Sequence, residues 1–344
     1  MADAGLPPQL IAALDRELEG ASRKDLTESA ARTSAAYREG RSSAGVIRDA
    51  SDALAYAVSR APATYAAALA AITEASARLT GFAPRSLLDV GAGAGAASWA
   101  ATEVFPDLDG AVWLDANPAL LDLAGRLAVQ SPALGKAERR LGDINRAALP
   151  SADLVLASYV LAEIAPAAQP ALVAALWAAC EGLLVLVEPG TPAGWTRILQ
   201  ARAIVIEAGG QIVAPCPHAQ ACPLVAPDWC HFAQRLPRSR DHRLTKAADA
   251  PFEDEKFIYL AAARPGLGLA PPQSRILAPP RQDKTGIALK LCEPYGPCRL
   301  ALIPSRDKPA LRQVRRLGWG DTTPSAVIPV SPSGEDRDLI DAGE

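Results

Sequence analysis

The sequence predicts an α/β fold in which parallel strands alternate with helices, as in Rossmann-like nucleotide-binding sheets. Short apolar runs at 86–90, 154–158 and 182–187 have the length and composition of buried strands. Stretches of helical length separate these runs, which indicates βαβ units. A glycine-rich loop follows the first run at 91–95. Such sheets bind nucleotides at this position.

The composition narrows the class of protein and of partner. With 344 residues, 49% hydrophobic, the chain can bury a sizeable core, and its net charge of -3 excludes a generic polycation. Residues 231–316 nevertheless hold 17 Lys and Arg against 8 Asp and Glu, which is consistent with a polyanionic partner and equally with a solvated basic face. No apolar run is long enough to span a bilayer and no secretory signal is evident. We expect a cytoplasmic protein with neither membrane nor DNA as partner.

The first 80 residues are rich in alanine and predict an N-terminal helical subdomain. Four helices are expected, at 7–18, 24–38, 44–59 and 62–80, and the last begins at Pro62 because proline interrupts a helix.

The rest of the chain divides into a sheet domain, an insertion and a small C-terminal unit. The predicted Rossmann-like domain covers 81–208 plus 255–264, with strands at 86–90, 110–114, 137–141, 154–158, 182–187 and 256–263 and helices at 96–104, 118–130, 170–180 and 195–208. A cysteine-rich insertion at 209–254 interrupts this domain. Residues 281–320 predict a β-hairpin, with strands at 285–292 and 298–304, and a basic helix at 309–317. The tail, 321–344, is polar and is expected to be disordered.

The glycine-rich loop has the pattern Asp-x-Gly-x-Gly-x-Gly, formed by Asp89, Gly91, Gly93 and Gly95. Glycines let the backbone approach a ligand closely. The spacing differs from the Gly-x-Gly-x-x-Gly of dinucleotide-binding proteins. It resembles class I methyltransferases, which implies S-adenosylmethionine as the cofactor and places Asp89 near its methionine end.

Two further acidic residues support a nucleoside ligand. Asp115 ends the second strand, where a carboxylate can bind ribose hydroxyls, and Asp143 follows the third strand, where it can accept a hydrogen bond from an adenine amine. Helix capping is the alternative role for each.

The loop after the fourth strand contains Ser158, Tyr159 and Glu163. In the methyltransferases that the sequence resembles, this loop faces the transferred methyl group, so we assign Ser158 to the cofactor site. Tyr159 and Glu163 are the candidates to orient a target base or to take a proton; packing and solvation are the alternatives. The loop has neither the Asn/Asp-Pro-Pro-aromatic motif nor a cysteine nucleophile, and Cys180 is expected to be a buried small hydrophobe. The sequence therefore predicts cofactor binding and leaves methyl transfer open.

Three cysteines lie within fifteen residues of the insertion, at Cys216, Cys222 and Cys230. In proline-rich loop sequence this density favours a metal site over packing. A fourth thiolate is available from Cys292 or Cys298, while nearby histidines could instead complete a zinc site.

The segments around these cysteines also carry a family resemblance. The runs Glu-Pro-Gly-Thr-Pro-x-Gly-Trp at 188–195, Cys-Pro-His at 216–218, Trp-Cys-His-Phe at 229–232 and Trp-Gly-Asp at 319–321 resemble the Rsm22 family, methyltransferase-like proteins of the mitochondrial small ribosomal subunit and their bacterial homologues. The resemblance implies a [4Fe-4S] cluster bound by Cys216, Cys222, Cys230 and Cys292. It also implies action on the small ribosomal subunit, in its assembly, in translation and in methylation of its rRNA.

Two groups of basic residues suit contacts with RNA phosphates. The first is Arg235, Arg238, Arg240, Arg243 and Lys246, and the second is Arg312, Arg315 and Arg316 on one face of the C-terminal helix. Aromatic residues make up only 5% of the chain, so recognition of backbone and shape is expected rather than base stacking.

Three hypotheses follow. The first is a methyltransferase that acts on small-subunit rRNA, and the second is a non-catalytic ribosome-assembly factor whose cofactor sites are structural. The third is a small-molecule methyltransferase with a zinc knuckle.

Overall fold

The structure is a computed structural model, and it describes residues 5–38, 45–246 and 248–323. Its helices are α1 (Pro8–Leu18), α2 (Arg23–Arg38), α3 (Ala50–Ser76), α4 (Ala96–Val104), α5 (Pro118–Ala128), α6 (Gln169–Ala179), α7 (Pro192–Glu207), α8 (Arg240–Thr245) and α9 (Lys308–Val314). Two 3₁₀ turns, Leu161–Glu163 and Pro166–Ala168, precede α6. Among the described helices, none combines the length and the apolarity that crossing a membrane requires.

Helix α3 corrects the predicted N-terminal subdomain. The helices expected at 44–59 and 62–80 are one helix that begins after the N-cap Asp49 and contains Pro62 in its interior; residue 44 lies outside the described residues. Proline removes one backbone hydrogen bond. Most of α3 is buried against α2, α4 and the sheet, and this packing outweighs the local break.

Fifteen strands are present in the described residues. They are β1 (Leu79–Thr80), β2 (Ser86–Val90), β3 (Gly110–Asp115), β4 (Glu138–Leu141), β5 (Ala152–Ser158), β6 (Cys180–Pro189), β7 (Gln211–Ala214), β8 (Phe232–Pro237), β9 (Phe252–Ala263), β10 (Gly268–Leu269), β11 (Ser274–Ile276), β12 (Arg281–Gln282), β13 (Gly286–Cys292), β14 (Cys298–Pro304) and β15 (Thr322–Thr323). All six strands predicted for the Rossmann-like domain are found, shifted by a few residues at their ends.

The central sheet has the order β4-β3-β2-β5-β6-β9-β7, and β8 also pairs with β9. Strands β2 to β6 are parallel, whereas β9 runs antiparallel to β6. The sheet is therefore mixed. The direction of the strand order reverses between β2 and β5, and ligands of open α/β sheets bind in the crevice at such a point. The loop after β2 and the loop after β5 both lie there.

The central strands form the core. Leu88, Leu154, Leu184 and Leu260 come from four neighbouring strands, and each is fully buried. Cys180, at the start of β6, is 1% exposed, which confirms that it is a buried side chain. Strands that are buried on both faces appear in the sequence as continuous apolar runs, and this explains why the central strands could be predicted.

The outer edge of β9 pairs with two separate strands. Strand β7 pairs with Ala261–Ala263, and β8 pairs with 252–257. Both strands belong to the predicted insertion, so the main chain of this segment extends the sheet. Residues 258–260 lie between the two pairings.

The C-terminal unit is a second sheet, of order β12-β13-β11-β15, with β14 paired to β13 and α9 packed against both hairpin strands. Strand β15 pairs with β11. Residues 322 and 323 are therefore ordered, which corrects the predicted start of the disordered tail at 321; the remainder, 324–344, lies outside the described residues.

Candidate functional site

The loop between β2 and α4 is shaped by its three glycines. Gly91, Gly93 and Gly95 have backbone φ angles of 72°, 55° and 80°, and residues with a Cβ rarely adopt these values. A Cβ on Gly91 would lie 2.3 Å from Val160 Cγ2, so glycine is also required there for space. A Cβ on Gly93 would meet only Tyr56 Cε1, at 3.9 Å. The backbone at Gly93 is thus open toward the crevice.

A cleft of about 300 Å³ opens beside this loop. Its lining includes most of the predicted cofactor residues, namely Gly91, Gly93, Asp115, Asp143 and Ser158, together with Tyr159 and Glu163. A smaller adjoining cavity is lined by Asp89 and again by Gly91 and Gly93. The structure therefore brings six of the seven predicted cofactor residues to one place. The seventh, Gly95, is the residue before α4 and packs against Trp113.

Asp115 ends β3 and holds the glycine loop in place. Its Oδ2 accepts a hydrogen bond from the Gly93 amide at 2.8 Å, and its Oδ1 accepts one from the Asn117 amide at 2.8 Å. Burial raises the pKa of this carboxyl, although the two amides oppose that shift. The cap of α5 is Asn117, whose side chain accepts from the amides of Ala119 and Leu120. Asp115 is therefore not a helix cap, and its carboxylate lines the cleft.

Asp143 lies at the solvent-exposed end of the same cleft. Its Oδ1 accepts hydrogen bonds from the Asn145 backbone and side-chain amides, at 2.9 and 3.0 Å, and no helix starts directly after it. These hydrogen bonds hold the pKa of the carboxyl below its usual value, so Asp143 is ionised at neutral pH. An ionised acceptor at this position suits an exocyclic amine.

Asp89 is only 1% exposed and is incompletely paired. Its Oδ2 accepts a hydrogen bond from Ser98 Oγ at 2.6 Å, while Oδ1 is buried without a partner among the described residues. Burial raises the pKa of Asp89 to about 7, and the neighbouring charge of Asp115 also raises it. A buried carboxylate oxygen with no donor is costly, so this position favours a ligand that brings a donor or a positive charge.

Tyr159 has a strained backbone at the rim of the cleft. Its φ of 63° makes it the one residue other than glycine with positive φ in the described parts of the chain. Its hydroxyl donates to Glu255 Oε1 at 2.8 Å, and Arg60 lies 3.8 Å from the same oxygen. Burial and the charge of Glu255 raise the pKa of Tyr159 well above 10. The phenol therefore stays protonated near neutral pH and acts as a donor. Sequence analysis did not single out Glu255 or Arg60 because they come from other elements, β9 and α3.

The four predicted metal-binding cysteines line a second, small cavity, of about 30 Å³, at the gap between β7 and β8 on the edge of β9. Cys216 follows the end of β7, and Cys230 precedes the start of β8. Cys222 comes from the loop between them, and Cys292 comes from the end of β13. We call this cavity the thiol pocket. Cys298 pairs with Cys292 across the hairpin and is not among the residues that line the pocket.

The thiols of this pocket influence one another. Burial raises the pKa of Cys230 well above its usual value, and the neighbouring Cys216, Cys222 and Cys292 raise it further. Burial likewise raises the pKa of Cys292, with the same kind of contribution from Cys216. Several thiolates at this site therefore need compensation by cations.

No three His, Cys, Asp or Glu side chains of the described residues form a group that could hold a metal ion in this conformation. The cysteines surround a space that polar side chains also line, among them His218 and Arg202. His218 Nε2 lies 3.4 Å from Cys292 Sγ. Arg202, on α7, is 6% exposed.

The first predicted basic group is largely neutralised within the fold. Arg235 pairs with Asp254 at 2.7 Å, while Arg238 and Lys246 both pair with Glu253. These acidic residues lie on β9, which pairs with β8. The sequence alone did not show that the two strands are neighbours. The second basic group differs. Arg312, Arg315 and Arg316 are exposed, and none has an ion pair within the described ranges.

Comparison with known proteins identifies the family of this chain. A family model described as mitochondrial small ribosomal subunit Rsm22 matches residues 50–324, which is most of the chain. The chain belongs to the Rsm22 family. This confirms the resemblance that the sequence motifs carry.

Two relatives illustrate the family. The human "ribosome assembly protein METTL17, mitochondrial" is 30% identical, over 80% of this chain and 64% of that protein. The fission yeast (Schizosaccharomyces pombe) "Rsm22-cox11 tandem protein 2, mitochondrial" is 27% identical, over 72% of this chain and 40% of that protein. The chain therefore spans less than two thirds of the length of either relative.

Solved structures with a similar fold are S-adenosylmethionine methyltransferases. Human N-acetylserotonin methyltransferase is 15% identical, with a TM-score of 0.38 over 72% of this chain and 68% of that one. Magnesium protoporphyrin IX methyltransferase from Synechocystis is also 15% identical, with a TM-score of 0.35 over 54% of this chain and 72% of that one. The order and direction of the strands in the central sheet confirm the predicted α/β class.

Proposed function

We propose that this Rsm22-family chain binds S-adenosylmethionine in the cleft beside Gly91 and Gly93, holds a [4Fe-4S] cluster in the thiol pocket, and acts on the small ribosomal subunit. The observation that carries the proposal is the meeting of Gly93, Asp115, Asp143 and the unpaired oxygen of Asp89 at the reversal point of the sheet. Family membership supplies the ribosomal context.

The cleft fits an adenosyl sulfonium at both ends. Its charged end suits Asp89, whose Oδ1 is buried without a donor and gains one from the amino acid part of the ligand. Asp115 is positioned for ribose hydroxyls, and Asp143 for the adenine amine. S-adenosylmethionine, when bound, supplies an electrophilic methyl group on its sulfonium. Open backbone at Gly93 leaves the space that this ligand needs.

The thiol pocket suits a cluster better than a single zinc ion. Zinc draws its ligands to about 2.3 Å from one point. Here the described ligand side chains do not converge on one point, and the four cysteines surround a cavity instead. Thiolates spaced around a volume are the donor set of iron–sulfur clusters. Anaerobic reconstitution with ferrous iron and sulfide, followed by iron and sulfide analysis, tests this part of the proposal; binding of zinc alone would contradict it.

Contact with rRNA is assigned to the C-terminal end of α9 and the two residues that follow it, because this helix ends at Val314 and not at the predicted residue 317. Arg312, Arg315 and Arg316 are exposed and without carboxylate partners in the described ranges, so they are available to phosphates. Replacing all three with alanine should weaken binding to small subunits and reduce its salt dependence, by a slope of about 1 for each phosphate contact that is lost. Replacing Arg235, which is paired with Asp254, is the control. An unchanged salt slope in the triple variant would exclude this face.

Methyl transfer to small-subunit rRNA is the activity to test first. Small subunits from a strain that lacks this protein would receive tritiated methyl groups from S-adenosylmethionine in the presence of the wild-type chain or of Asp89→Ala. The proposal expects transfer by the wild type only. Equal incorporation with the variant would show that the signal comes from elsewhere.

A non-catalytic assembly factor is the second candidate, and one observation favours it. The Tyr159 hydroxyl is already used as a donor to Glu255, and its raised pKa prevents it from acting as a base near neutral pH. This candidate expects cofactor-dependent binding to immature small subunits without methyl incorporation. Binding that is unaffected by both the cofactor and the cluster would contradict it.

A further inference from the structure

Arg202 is a buried cation whose charge has no carboxylate partner in the described parts of the chain. Its Nη2 donates to the backbone carbonyls of His218 and Gln220, at 2.7 Å each. Its Nε is buried without any partner there, and the side chain lines the thiol pocket. Carbonyls satisfy some donors but do not neutralise the charge, and a buried uncompensated charge is costly.

Arg275, the other arginine that lines the pocket, is compensated. Its Nη1 pairs with Glu74, and its Nε donates to the Pro215 carbonyl at 3.1 Å. It therefore ties β11 to α3 and to the start of the cysteine loop. Of the two arginines that line the pocket, Arg202 is therefore the one without a carboxylate partner among the described residues.

Arg202 and the cysteine thiols share one pocket. The side chains of Arg202, Cys216 and Cys292 all line it. The two backbone hydrogen bonds of Arg202 also fix the segment that carries His218, whose ring nitrogen lies 3.4 Å from Cys292 Sγ. One side chain thus reaches both sides of the pocket.

We infer that Arg202 is the counter-cation of an anionic metal–thiolate group in the thiol pocket, and that it positions the His218 segment against that group. The inference rests on the metal centre of the proposed function. It makes Arg202 a positioning residue, since it acts on the group through charge and through the loop rather than as a ligand. Partners outside the ligand set commonly change metal affinity by about tenfold to a hundredfold.

The test separates the charge of Arg202 from its hydrogen bonds. Arg202→Lys keeps the charge and Arg202→Gln keeps an amide donor without charge. Arg264→Met is the matched control, because Arg264 also donates to two backbone carbonyls, those of Cys180 and Trp177, at a site that does not line the pocket. Each protein is reconstituted anaerobically with ferrous iron and sulfide, and in parallel with zinc. Two quantities are then measured: the rate at which each protein loses its metal to a chelator, and the midpoint potential of the cluster.

The expected result is that Arg202→Gln loses metal roughly tenfold faster or more than wild type. Its cluster should have a more negative midpoint potential, because a positive charge that favours the added electron is gone. Arg202→Lys should lie between Arg202→Gln and wild type, and Arg264→Met should match wild type. Circular dichroism of the metal-free proteins identifies any variant that fails to fold. If Arg202→Gln fails to fold, the metal retention and midpoint potential of Arg202→Lys test the role of Arg202.

The experiment distinguishes failure of the role of Arg202 from failure of the proposed metal centre. A wild-type protein that retains metal while Arg202→Gln behaves identically overturns the role of Arg202 and leaves the metal centre standing. A wild-type protein that takes up neither iron and sulfide nor zinc overturns the metal centre, and this inference with it.

Discussion

The hydroxyl of Tyr159 donates a hydrogen bond to Glu255 Oε1 at 2.8 Å, across 96 residues of sequence. The bond joins the loop after β5 to β9, which are separated in the sheet by β6. It fixes a residue with unfavourable backbone geometry at the rim of the cofactor cleft. Backbone strain of this kind persists only where surrounding contacts hold it, so the bond is expected to be energetically important.

Replacing Tyr159 with phenylalanine should destabilise the protein by about 1.5 kcal/mol, because a hydrogen bond to a charged group is lost and the Glu255 carboxylate keeps, among the described side chains, Arg60 as its partner. Urea unfolding measures the change. Tyr295→Phe is the control, since that side chain is 81% exposed. Equal stability of the two variants would show that the Tyr159 bond contributes nothing.

Gly93→Ala should separate cofactor binding from stability. The left-handed backbone costs about 1 kcal/mol for any residue with a Cβ. Gly20→Ala, with φ of 80° and open space around its Cβ, should suffer the same cost far from the cleft. Only Gly93→Ala should weaken binding of S-adenosylmethionine, by roughly tenfold, or about 1.4 kcal/mol, in isothermal titration calorimetry. Unweakened binding would place the cofactor elsewhere.

Asp89→Asn should stabilise the cofactor-free protein in a pH-dependent way. Because burial raises the pKa of Asp89 to about 7, the folded state holds its proton while the unfolded state ionises near pH 4. The carboxyl therefore destabilises the fold progressively from about pH 4 to 7. The variant escapes this cost, so its advantage should be small at pH 4 and of order 4 kcal/mol at pH 8.

Urea unfolding at the two pH values measures that difference. Asp107→Asn, at an exposed position, is the control. An advantage that is independent of pH would refute a buried protonated carboxyl at Asp89.

Asp52→Asn should have the opposite pH dependence. Burial raises the pKa of Asp52, but hydrogen bonds from Ser29 and Arg48 outweigh burial and lower it to about 2. This carboxylate, also paired with Arg32 at 2.7 Å, joins α2 to α3. Its stabilisation is present above about pH 4 and is lost as the pH falls through 2, so the variant should lose about 2 kcal/mol at pH 7 and little at pH 2.

Thermal unfolding across that pH range follows the effect of Asp52→Asn. Asp15→Asn, an exposed replacement on α1, should show no comparable loss. A constant difference from pH 7 to pH 2 would contradict the lowered pKa.

Cysteine replacements should divide into two groups. Serine at each of the four pocket positions should sharply reduce the iron bound after reconstitution; these positions are Cys216, Cys222, Cys230 and Cys292. Cys298→Ser and Cys180→Ser should retain the wild-type amount, since neither residue lines the pocket. Loss of iron in Cys298→Ser alone would reassign the fourth ligand to the other strand of the hairpin.

Most of the sheet domain could be read from local sequence. Strands buried on both faces are continuous apolar runs, and glycines with an acidic residue before them identify the ligand loop. Pro62 was misleading because the local rule for proline takes no account of how deeply α3 is buried. The basic residues were only partly informative, because carboxylates 7 to 19 residues away neutralise three of the five in the first group.

The sequence by itself determined the α/β class and the glycine loop, since these depend on periodicity and on residue type at fixed spacing. Its resemblance to a family, and not spacing, implied which fourth cysteine joins the other three. Only the tertiary structure decided that β7 and β8 share the edge of β9, that Glu255 restrains Tyr159, and that Arg202 is buried without a carboxylate partner in the described residues. Those features arise between segments far apart in the chain. Burial and charge at such contacts depend on the packed fold, which no local pattern of residues specifies.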